Sequence, residues 1–382
     1  MRKELVFVLL ALFLCAGCNG NKKKMNGEHD LDAANITLDD HTISFYYNWY
    51  GNPSVDGEMK HWMHPIALAP GHSGDVGAIS GLNDDIACNF YPELGTYSSN
   101  DPEIIRKHIR MHIKANVGVL SVTWWGESDY GNQSVSLLLD EAAKVGAKVC
   151  FHIEPFNGRS PQTVRENIQY IVDTYGDHPA FYRTHGKPLF FIYDSYLIKP
   201  AEWAKLFAAG GEISVRNTKY DGLFIGLTLK ESELPDIETA CMDGFYTYFA
   251  ATGFTNASTP ANWKSMQQWA KAHNKLFIPS VGPGYIDTRI RPWNGSTTRD
   301  RENGKYYDDM YKAAIESGAS YISITSFNEW HEGTQIEPAV SNKCDAFEYL
   351  DYKPLADDYY LIRTAYWVDE FRKARSASED VQ

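Results

Sequence analysis

Apolar residues recur along this chain in eight short runs that are rich in β-branched and aromatic side chains. Most of the runs are continuous rather than alternating, which is typical of strands that are buried on both faces of a parallel sheet. The predicted strands span 42–50, 118–125, 148–156, 188–194, 222–228, 244–249, 276–281 and 321–327. Between most of them, apolar residues recur at the spacing of a helix instead.

The connecting segments predict helices with recognisable starts. Asp101 is an N-cap residue, Pro102 occupies the first helical position, and Ile105, Ile109 and Ile113 follow at helical spacing. Further helices are predicted over 134–145, 162–175, 260–273, 302–315 and 358–373. Strands that alternate with helices predict a single (β/α)8 TIM-type barrel, with a doubly wound open sheet as the alternative. The open sheet is less favoured because no glycine-rich phosphate loop follows the first strand.

Two loops that follow strands, 51–99 and 285–301, are unusually long. In a barrel both loops lie at the carboxyl-end face, where active sites form. The predicted strand ends also collect polar and aromatic residues. These residues are Tyr46, Trp49, Trp124, His152, Glu154, Asp194, Tyr246, Tyr248, Asn328, Glu329, His331 and Glu332. We expect their side chains to surround one barrel mouth.

The amino-terminal residues predict export rather than part of the fold. A basic start at Arg2 and Lys3 precedes an apolar run, 5–14, that is too short to span a membrane as a helix. Small residues then precede Cys18, which resembles a bacterial lipoprotein signal; an ordinary cleaved secretion signal is the alternative. We therefore predict a signal peptide over 1–17, lipidation of Cys18, a flexible tether over 18–38 and the barrel over 39–378.

Localisation and assembly follow from that organisation. The chain is expected in the bacterial cell envelope, facing the periplasm or the outer surface, as a monomer that touches the membrane only through its lipid anchor. The formal net charge of −13 disfavours nucleic acid as a partner. The cysteines that follow Cys18 are widely spaced without a C-x-x-C motif, so no zinc ribbon is expected, and Cys150 is predicted to be a buried thiol.

Glu329 and Glu332 carry the strongest chemical signal in the chain. They lie three residues apart, beside Trp330 and His331, directly after the last predicted strand. Hydrolysis of a glycosidic bond requires such a pair of carboxyl groups. Serine-nucleophile and phosphate-loop chemistries are disfavoured because their motifs are absent from the sequence.

Several of the other candidates have structural alternatives. Glu154 could be an ion-pair partner of Arg159, and Tyr46 and Trp49 could pack at the rim. His152, Glu154 and His331 could form a metal site, but no third closely spaced ligand accompanies the His-x-Glu pair, so no metal or other cofactor is expected. His61 and His64 are expected to be ordinary loop histidines.

Four motifs resemble glycoside hydrolase family 99, the family of endo-α-1,2-mannosidases and endo-α-1,2-mannanases. They are Y-Y-N-W-Y at 46–50, T-W-W-G at 123–126, H-I-E-P-F at 152–156 and S-F-N-E-W-H-E-G-T-Q-I-E-P at 326–338. The similarity extends over about residues 40–375. It implies a (β/α)8 barrel that cleaves inside α-mannoside chains with retention of anomeric configuration. It also implies that the 2-hydroxyl of the sugar attacks C1 to give a 1,2-anhydro sugar.

The same resemblance implies roles for individual residues. Glu329 would be the base for the 2-hydroxyl, and Glu332 would be the general acid/base. The implied substrate-binding residues are Tyr46, Trp49, Trp124, Glu154, Tyr248 and Asn328. Tyr246 is the alternative to Tyr248, because it lies two residues away on the same strand face. Trp124 would line the subsite that precedes the cleaved residue, and it indicates α-mannan or a mannose-rich oligosaccharide as the substrate.

Two other functions stay open on the sequence alone. A conventional retaining glycosidase would use one of the two glutamates as a direct nucleophile. A surface lipoprotein that binds glycans without catalysis would need the aromatic residues but would not need Glu329 and Glu332 as a pair.

Overall fold

The computed structural model describes residues 37–379. The predicted signal peptide, the lipidation of Cys18 and all but the last two residues of the predicted tether lie outside that range. Within it, no helix is both long enough and apolar enough to cross a bilayer.

A ring of parallel strands forms the centre of the described chain. The strands β1 to β8 are Asp39–Tyr46, Val117–Trp124, Lys148–Ile153, Lys187–Ile192, Leu223–Leu227, Gly244–Tyr246, a seventh strand in two segments, Leu276–Ile278 and Ser280–Val281, and Ile322–Ile324. Neighbouring strands pair in sequence order, and β1 also pairs with β8. The ring closes because the first segment of β7 pairs with β6 and its second segment pairs with β8. The predicted (β/α)8 barrel is therefore confirmed, and the open sheet is excluded.

Helices cover the outside of this ring. The main helices of the described residues, α1 to α8, are Pro102–Lys114, Asn132–Val145, Pro161–Tyr175, Pro200–Phe207, Leu234–Thr239, Trp263–Ala272, Lys305–Ser317 and Tyr359–Glu379. Shorter helices in the loops are Pro53–Asp56, Ser195–Leu197, Glu231–Glu233, Pro260–Asn262, Pro292–Thr297 and Glu302–Gly304. Short antiparallel pairs join His64–Pro65 to Ala78–Ile79, Tyr91–Pro92 to Ala339–Val340, and Arg183–Thr184 to the start of β4. The sequence did not predict α4 and α5, because eight and six residues give too few turns for a visible periodicity.

Local sequence signals determine where the helices start. The side chain of Asp101 accepts the backbone N–H of Glu103 at the start of α1, and Pro102 occupies the first helical position as predicted. Ser160 and Thr163 form a reciprocal capping box at the start of α3. These caps supply partners for N–H groups that the helices themselves cannot satisfy.

Several predicted strands run past the observed carboxyl ends. The observed β1, β3, β6 and β8 end three or four residues before their predicted limits. The chain there combines aromatic and polar residues, and its backbone leaves the sheet. Tyr248 has a φ of 51°, in the left-handed region, and its N–H donates to the side-chain hydroxyl of Ser280 on β7 rather than to the backbone of a neighbouring strand. These segments form the wall of the barrel mouth instead of extending the sheet.

Side chains of each strand alternate between the barrel interior and the layer of helices. On β1, Phe45 packs inside the barrel against the rings of His152 and Tyr246, with ring centroids 4.6 and 5.7 Å away. The next residue, Tyr46, faces outward, and its hydroxyl lies 2.9 Å from Nδ1 of His108 on α1. Whether a residue occupies an odd or an even position along a strand therefore decides whether its side chain can reach the mouth.

The two long loops lie together over that mouth, as the sequence predicted. Arg289 forms an ion pair with Asp85, and the N–H of Ala67 donates to the carbonyl of Ile290 at 2.8 Å. Each loop thus limits the freedom of the other.

A fully buried carboxylate fastens the segment after β8 to the rest of the barrel. Glu337 accepts hydrogen bonds from the hydroxyl of Tyr97 at 2.9 Å and from Nε1 of Trp330 at 3.0 Å. Nε2 of His108, on α1, lies 3.2 Å from its other oxygen. The three partners come from the loop after β1, from the segment after β8 and from α1, so this carboxylate joins three separate parts of the chain.

Replacing Glu337 by Gln tests that connection. The amide keeps the shape of the side chain but places a donor nitrogen where only acceptors fit. We expect the free energy of unfolding to fall by about 2 kcal/mol, because a hydrogen bond to a charged group contributes roughly 1.5–3 kcal/mol. Urea unfolding followed by fluorescence measures the change. The exposed Glu348→Gln is the control and should stay within about 0.5 kcal/mol of the wild type; equal losses in both variants would contradict the expectation.

Candidate active site

Glu329 and Glu332 lie on the turn that follows β8, at the carboxyl-end mouth of the barrel. The backbone N–H of Glu332 donates to Oε2 of Glu329 at 2.8 Å. The N–H of Glu329 donates to the hydroxyl of Ser326 at 2.7 Å, which closes the turn. The backbone of one turn therefore fixes the spacing of the two carboxyl groups, and Glu329 is only 4% exposed.

Burial raises the pKa of both carboxyl groups. For Glu329, burial lifts the pKa well above its ordinary value, and the neighbouring charge of Glu332 adds to the rise. For Glu332, burial raises the pKa to about 7; the positive charge of Arg291 opposes the rise, while Asp287 and Glu154 add to it. Two interacting carboxyl groups titrate as a pair, so the site holds a proton near neutral pH.

The loop 285–301 supplies the charges that face Glu332. Asp287 is fully buried and accepts hydrogen bonds from Tyr285 at 2.9 Å, from Nη1 of Arg291 at 3.0 Å and from Asn294 at 2.8 Å. These contacts hold the guanidinium of Arg291 where it lowers the pKa of Glu332. The sequence marked this loop as long but gave no sign of which of its residues would meet the two glutamates.

Gly333 lets this loop approach the turn. Its φ is 61°, and a Cβ there would lie 2.7 Å from the carbonyl oxygen of Ile286. The N–H of Ile286 in turn donates to the carbonyl of Glu332 at 2.8 Å. A larger residue at 333 would separate the loop from the turn that carries both glutamates.

A pair of tyrosines lies beside Glu332. The hydroxyl oxygens of Tyr47 and Tyr248 lie 2.5 Å apart, and the hydroxyl of Tyr248 also hydrogen-bonds to Glu332, which lowers the pKa of that carboxyl. Tyr248 was predicted at this site. Its alternative, Tyr246, lies deeper in the barrel, with its hydroxyl 2.7 Å from Nε2 of His152. The mouth is therefore formed by Tyr248 and not by Tyr246.

Asn328 was predicted to bind substrate, and the structure places its amide against the backbone of Tyr47. Its amide oxygen accepts the N–H of Tyr47 at 2.7 Å, and its amide nitrogen donates to the carbonyl of Tyr47 at 2.9 Å. The same nitrogen donates to the hydroxyl of Tyr97 at 3.2 Å. Both of its amide hydrogens are engaged and the side chain is fully buried, so no donor is left for a ligand.

Two further predicted substrate contacts, Tyr46 and Trp124, face the helix layer instead of the mouth. Tyr46 is 1% exposed and is bonded to α1, and Trp124 is 2% exposed and donates from Nε1 to Asn167 of α3 at 2.7 Å. The structure therefore does not bring these two side chains to the mouth, because a shift of one position moves a strand side chain to the other face. Tyr47 and Trp125, the next residues along the chain, lie at the mouth instead. Because both faces of these motifs are aromatic, the sequence does not show which residue faces the mouth.

Glu154 lies at the mouth as predicted. It is 4% exposed, accepts the hydroxyl of Thr123 at 2.6 Å and lies 3.1 Å from Nδ1 of His152. The alternative of an ion pair with Arg159 is not what the structure has. The guanidinium of Arg159 donates instead to the backbone carbonyls that follow β4. The carboxylate of Glu154 is near enough to Glu332 to raise its pKa.

A cleft of about 440 Å³ adjoins these residues and is lined by Trp49, Lys60, His61, Trp125, Asp129 and Tyr130. Trp49, another predicted substrate contact, stacks on His61 with ring centroids 4.5 Å apart and planes 3° from parallel. The indole N–H group of Trp125 is buried without a hydrogen-bond partner. A cleft of flat aromatic faces with polar side chains among them suits a hydroxylated ligand such as a sugar.

His331 is a neutral neighbour of Glu329 rather than its ion-pair partner. Burial, together with His61 and His64, lowers the pKa of His331 to about 3. Nε2 lies 2.5 Å from the carbonyl of His61, which can only accept, so Nε2 carries the proton. Nδ1 then faces Oε1 of Glu329 at 3.7 Å with a lone pair. Within residues 37–379, no cluster of three or more His, Cys, Asp or Glu is arranged to hold a metal ion.

Relatives of known activity share most of this chain. The model of Glycosyl hydrolase family 99 matches residues 37–373. Mouse glycoprotein endo-α-1,2-mannosidase is 47% identical over 349 residues, which cover 87% of this chain and 75% of the relative. Human glycoprotein endo-α-1,2-mannosidase-like protein is 47% identical over 348 residues, with coverage of 87% and 76%.

A solved structure extends the likeness to the whole barrel. The GH99 endo-α-mannosidase from Bacteroides thetaiotaomicron is 99% identical, covers 89% of this chain and 100% of its own, and superposes with a TM-score of 0.88. The resemblance that the motifs indicated is confirmed by all of these matches. The chain therefore belongs to glycosyl hydrolase family 99 and is an endo-acting α-mannoside hydrolase.

Proposed function

We propose that this enzyme cleaves within α-mannan or mannose-rich oligosaccharides, at α-1,2-substituted mannose, with retention of anomeric configuration. The observation that carries the proposal is the pair Glu329 and Glu332, which lie on one turn at the mouth, joined by a backbone-to-carboxylate hydrogen bond, with raised pKa values. The names of the mouse and human relatives, which describe endo-α-1,2-mannosidases, support the linkage.

The proposed reaction uses the 2-hydroxyl of the sugar as nucleophile. This hydroxyl is axial in mannose and lies trans to the leaving group of an α-mannoside, so it can displace that group from behind once the ring distorts. Glu329 takes the hydroxyl proton, the bond from O2 to C1 forms, and the bond from C1 to the leaving oxygen breaks as Glu332 protonates that oxygen. The product of this step is a 1,2-anhydro sugar and a shortened glycan.

Water completes the cycle in a second step. The ionised Glu332 takes a proton from water as the water oxygen bonds to C1 and the bond from C1 to O2 breaks. Glu329 returns its proton to O2. Two inversions at C1 give net retention, and both carboxyl groups end in their starting protonation states.

Hydrogen-bond donors support this division of roles. Although burial raises the pKa of Glu329 strongly, its carboxylate faces the fixed backbone N–H of Glu332, which can only donate and so favours the ionised form. The hydroxyl of Tyr248 lowers the pKa of Glu332, which burial has raised to about 7. We therefore assign the transferred proton to Glu332, because a pKa near neutral suits a group that gives up a proton in one step and takes it back in the next.

The aromatic cleft is the proposed path of the glycan. Trp125 replaces Trp124 as the residue that lines the subsite preceding the cleaved mannose, with Trp49, Glu154, Tyr47 and Tyr248 as further contacts. Export through residues 1–17, lipidation of Cys18, the tether and the monomeric state stay predictions.

The competing mechanism makes Glu329 a direct nucleophile, and a trapping reagent separates the two. If Glu329 only accepts a proton, 2-deoxy-2-fluoromannosyl fluoride should leave the mass of the protein unchanged. Glu329→Gln should bind oligomannoside with an affinity near that of the wild type, while its turnover should fall by a factor of roughly 10² to 10⁴. Intact-mass spectrometry and calorimetric titration measure these outcomes. A mannosyl adduct on Glu329 would end the proposal that the 2-hydroxyl is the nucleophile.

The pH dependence tests Glu332 as the acid. Because the leaving group needs the proton of Glu332, kcat/KM for an unactivated mannoside should fall as the pH rises through about 7, the raised pKa of this carboxyl. Arg291→Gln removes a positive charge that lowers this pKa. The decrease of kcat/KM on the alkaline side of the pH profile, its alkaline limb, should therefore occur at higher pH.

Arg289→Gln is the matched control for that profile. Arg289 lies in the same loop but pairs with Asp85, so its loss should leave the alkaline limb where it is. An alkaline limb that stays fixed in Arg291→Gln, or moves to lower pH, would show that another group is the acid.

The two adjacent tryptophans provide a test of the corrected subsite. Trp125→Phe removes the unpartnered indole N–H of a residue that lines the cleft. KM for mannan should rise about 2- to 10-fold, which corresponds to the free energy of one hydrogen bond. Trp124→Phe loses a bond to Asn167 inside the protein, so it should lower the melting temperature and leave KM unchanged. Steady-state kinetics and thermal unfolding measure both variants; the reverse pattern would restore Trp124 as the substrate contact.

A further inference from the structure

A second pocket, of about 210 Å³, lies outside the barrel, between the carboxyl ends of β4 and β5 and the helices α4 and α5. Its apolar wall includes Trp203, Ile237 and Met242, and its polar groups include Thr228, Glu233 and Asp236. The lining residues at the ends of β4 and β5 place the pocket at the same end of the barrel as Glu154, but neither Glu329 nor Glu332 lines it. The mechanism above does not use it.

Thr228 is the observation that points to a ligand. Its side chain is 2% exposed, and its hydroxyl has no hydrogen-bond partner. Gly226, two residues earlier on the same face of the strand, has Met242 directly above it, since a Cβ there would lie 2.5 Å from the sulfur. Thr228 lines the pocket together with Ile237 and Met242, the residues that lie over Gly226. A buried hydroxyl without a partner is unfavourable, so a site that supplies one is expected.

The polar groups of the pocket define the chemistry of that ligand. Oε2 of Glu233 is also buried without a partner, while its Oε1 lies 3.7 Å from Nζ of Lys230. Carboxylates at Glu233 and Asp236 accept hydrogen bonds and disfavour an anion. A metal ion is disfavoured too, because no metal-ligating cluster of three His, Cys, Asp or Glu occurs in the described range 37–379. What fits is a neutral ligand rich in hydroxyl groups.

An aromatic ring stands at the rim of the same pocket. Tyr196 is 45% exposed, and its hydroxyl donates to Asp194, which follows β4. A ring held by its hydroxyl and open on its face can pack on the C–H face of a sugar. The pocket is smaller than the roughly 300–1,000 Å³ of sites for drug-sized ligands, which limits it to about one sugar unit.

We propose that this pocket is an accessory sugar-binding site that holds a mannosyl residue, at an end or branch of the glycan, while another part of the same glycan occupies the active site. Only the identity of the sugar rests on the proposed function. Binding at two points of one chain raises the effective concentration of the polymer at the active site. The accessory site should therefore matter for long glycans and not for short ones.

Two variants test the proposal without touching the catalytic groups. Thr228→Val keeps the shape of the side chain and removes only the unpartnered hydroxyl, and Tyr196→Ala removes the exposed ring. Each should raise KM for yeast α-mannan about 3- to 10-fold, which corresponds to the free energy of one or two weak contacts. Each should leave kcat/KM for an α-mannobiosyl fluoride within about 2-fold of the wild-type value. Thr228→Val should not lower the melting temperature, because it removes a buried unsatisfied group.

Tyr366→Ala is the matched control, since Tyr366 is 47% exposed but lies on α8, away from the pocket. It should leave both substrates unaffected. An unchanged KM for mannan in both pocket variants would overturn the proposal, as would equal losses on mannan and on the fluoride. Retardation in native gels that contain mannan, measured with Glu329→Gln alone and with Thr228→Val added to it, gives a binding readout with turnover largely removed. If the wild type hydrolysed neither substrate, the proposed function would be wrong. Weaker retardation by mannan when Thr228→Val is present would still support the accessory sugar-binding site.

Discussion

The buried carboxylate of Glu337 is the constraint on which the position of the active site depends. A fully buried charge is tolerated only when hydrogen-bond donors surround it, and these donors come from Tyr97, Trp330 and His108. They can meet only if α1, the loop after β1 and the segment after β8 have all reached their final places. The turn with Glu329 and Glu332 lies inside that segment, so the spacing of the reacting groups follows from the completion of the barrel end rather than from the turn alone.

Much of the fold could be predicted because a parallel barrel leaves a strong pattern. Its strands are buried on both faces, which produces continuous apolar runs, and all eight were found. The same property hides which face each residue occupies. In an alternating strand the polar positions would show the face, but in Y-Y-N-W-Y and T-W-W-G both faces are aromatic. Tyr46 and Trp124 were therefore chosen where Tyr47 and Trp125 line the mouth.

Other parts of the site depend on contacts that no local pattern records. Arg291 and Asp287 reach Glu332 from a loop that is distant in sequence, and Gly333 is needed only because Ile286 comes so near. Asn328 looks like a ligand-binding amide in the sequence, yet its amide hydrogens are used to hold Tyr47 and Tyr97. Some polar residues at a barrel mouth contact the ligand, and others hold those ligand-contacting residues in place. Only the tertiary hydrogen bonds distinguish the two groups.

A site that works by proton transfer must keep one carboxyl group ionised beside another that is protonated. Burial cannot make that distinction, because it raises the pKa of both Glu329 and Glu332. The distinction comes from what each group faces. Glu329 meets a backbone N–H, whose direction is fixed, whereas Glu332 meets the hydroxyl of Tyr248 and the charge of Arg291, which both lower its pKa. In the proposed mechanism the backbone N–H therefore favours Glu329 as the base, and Tyr248 and Arg291 make it easier for Glu332 to give up its proton.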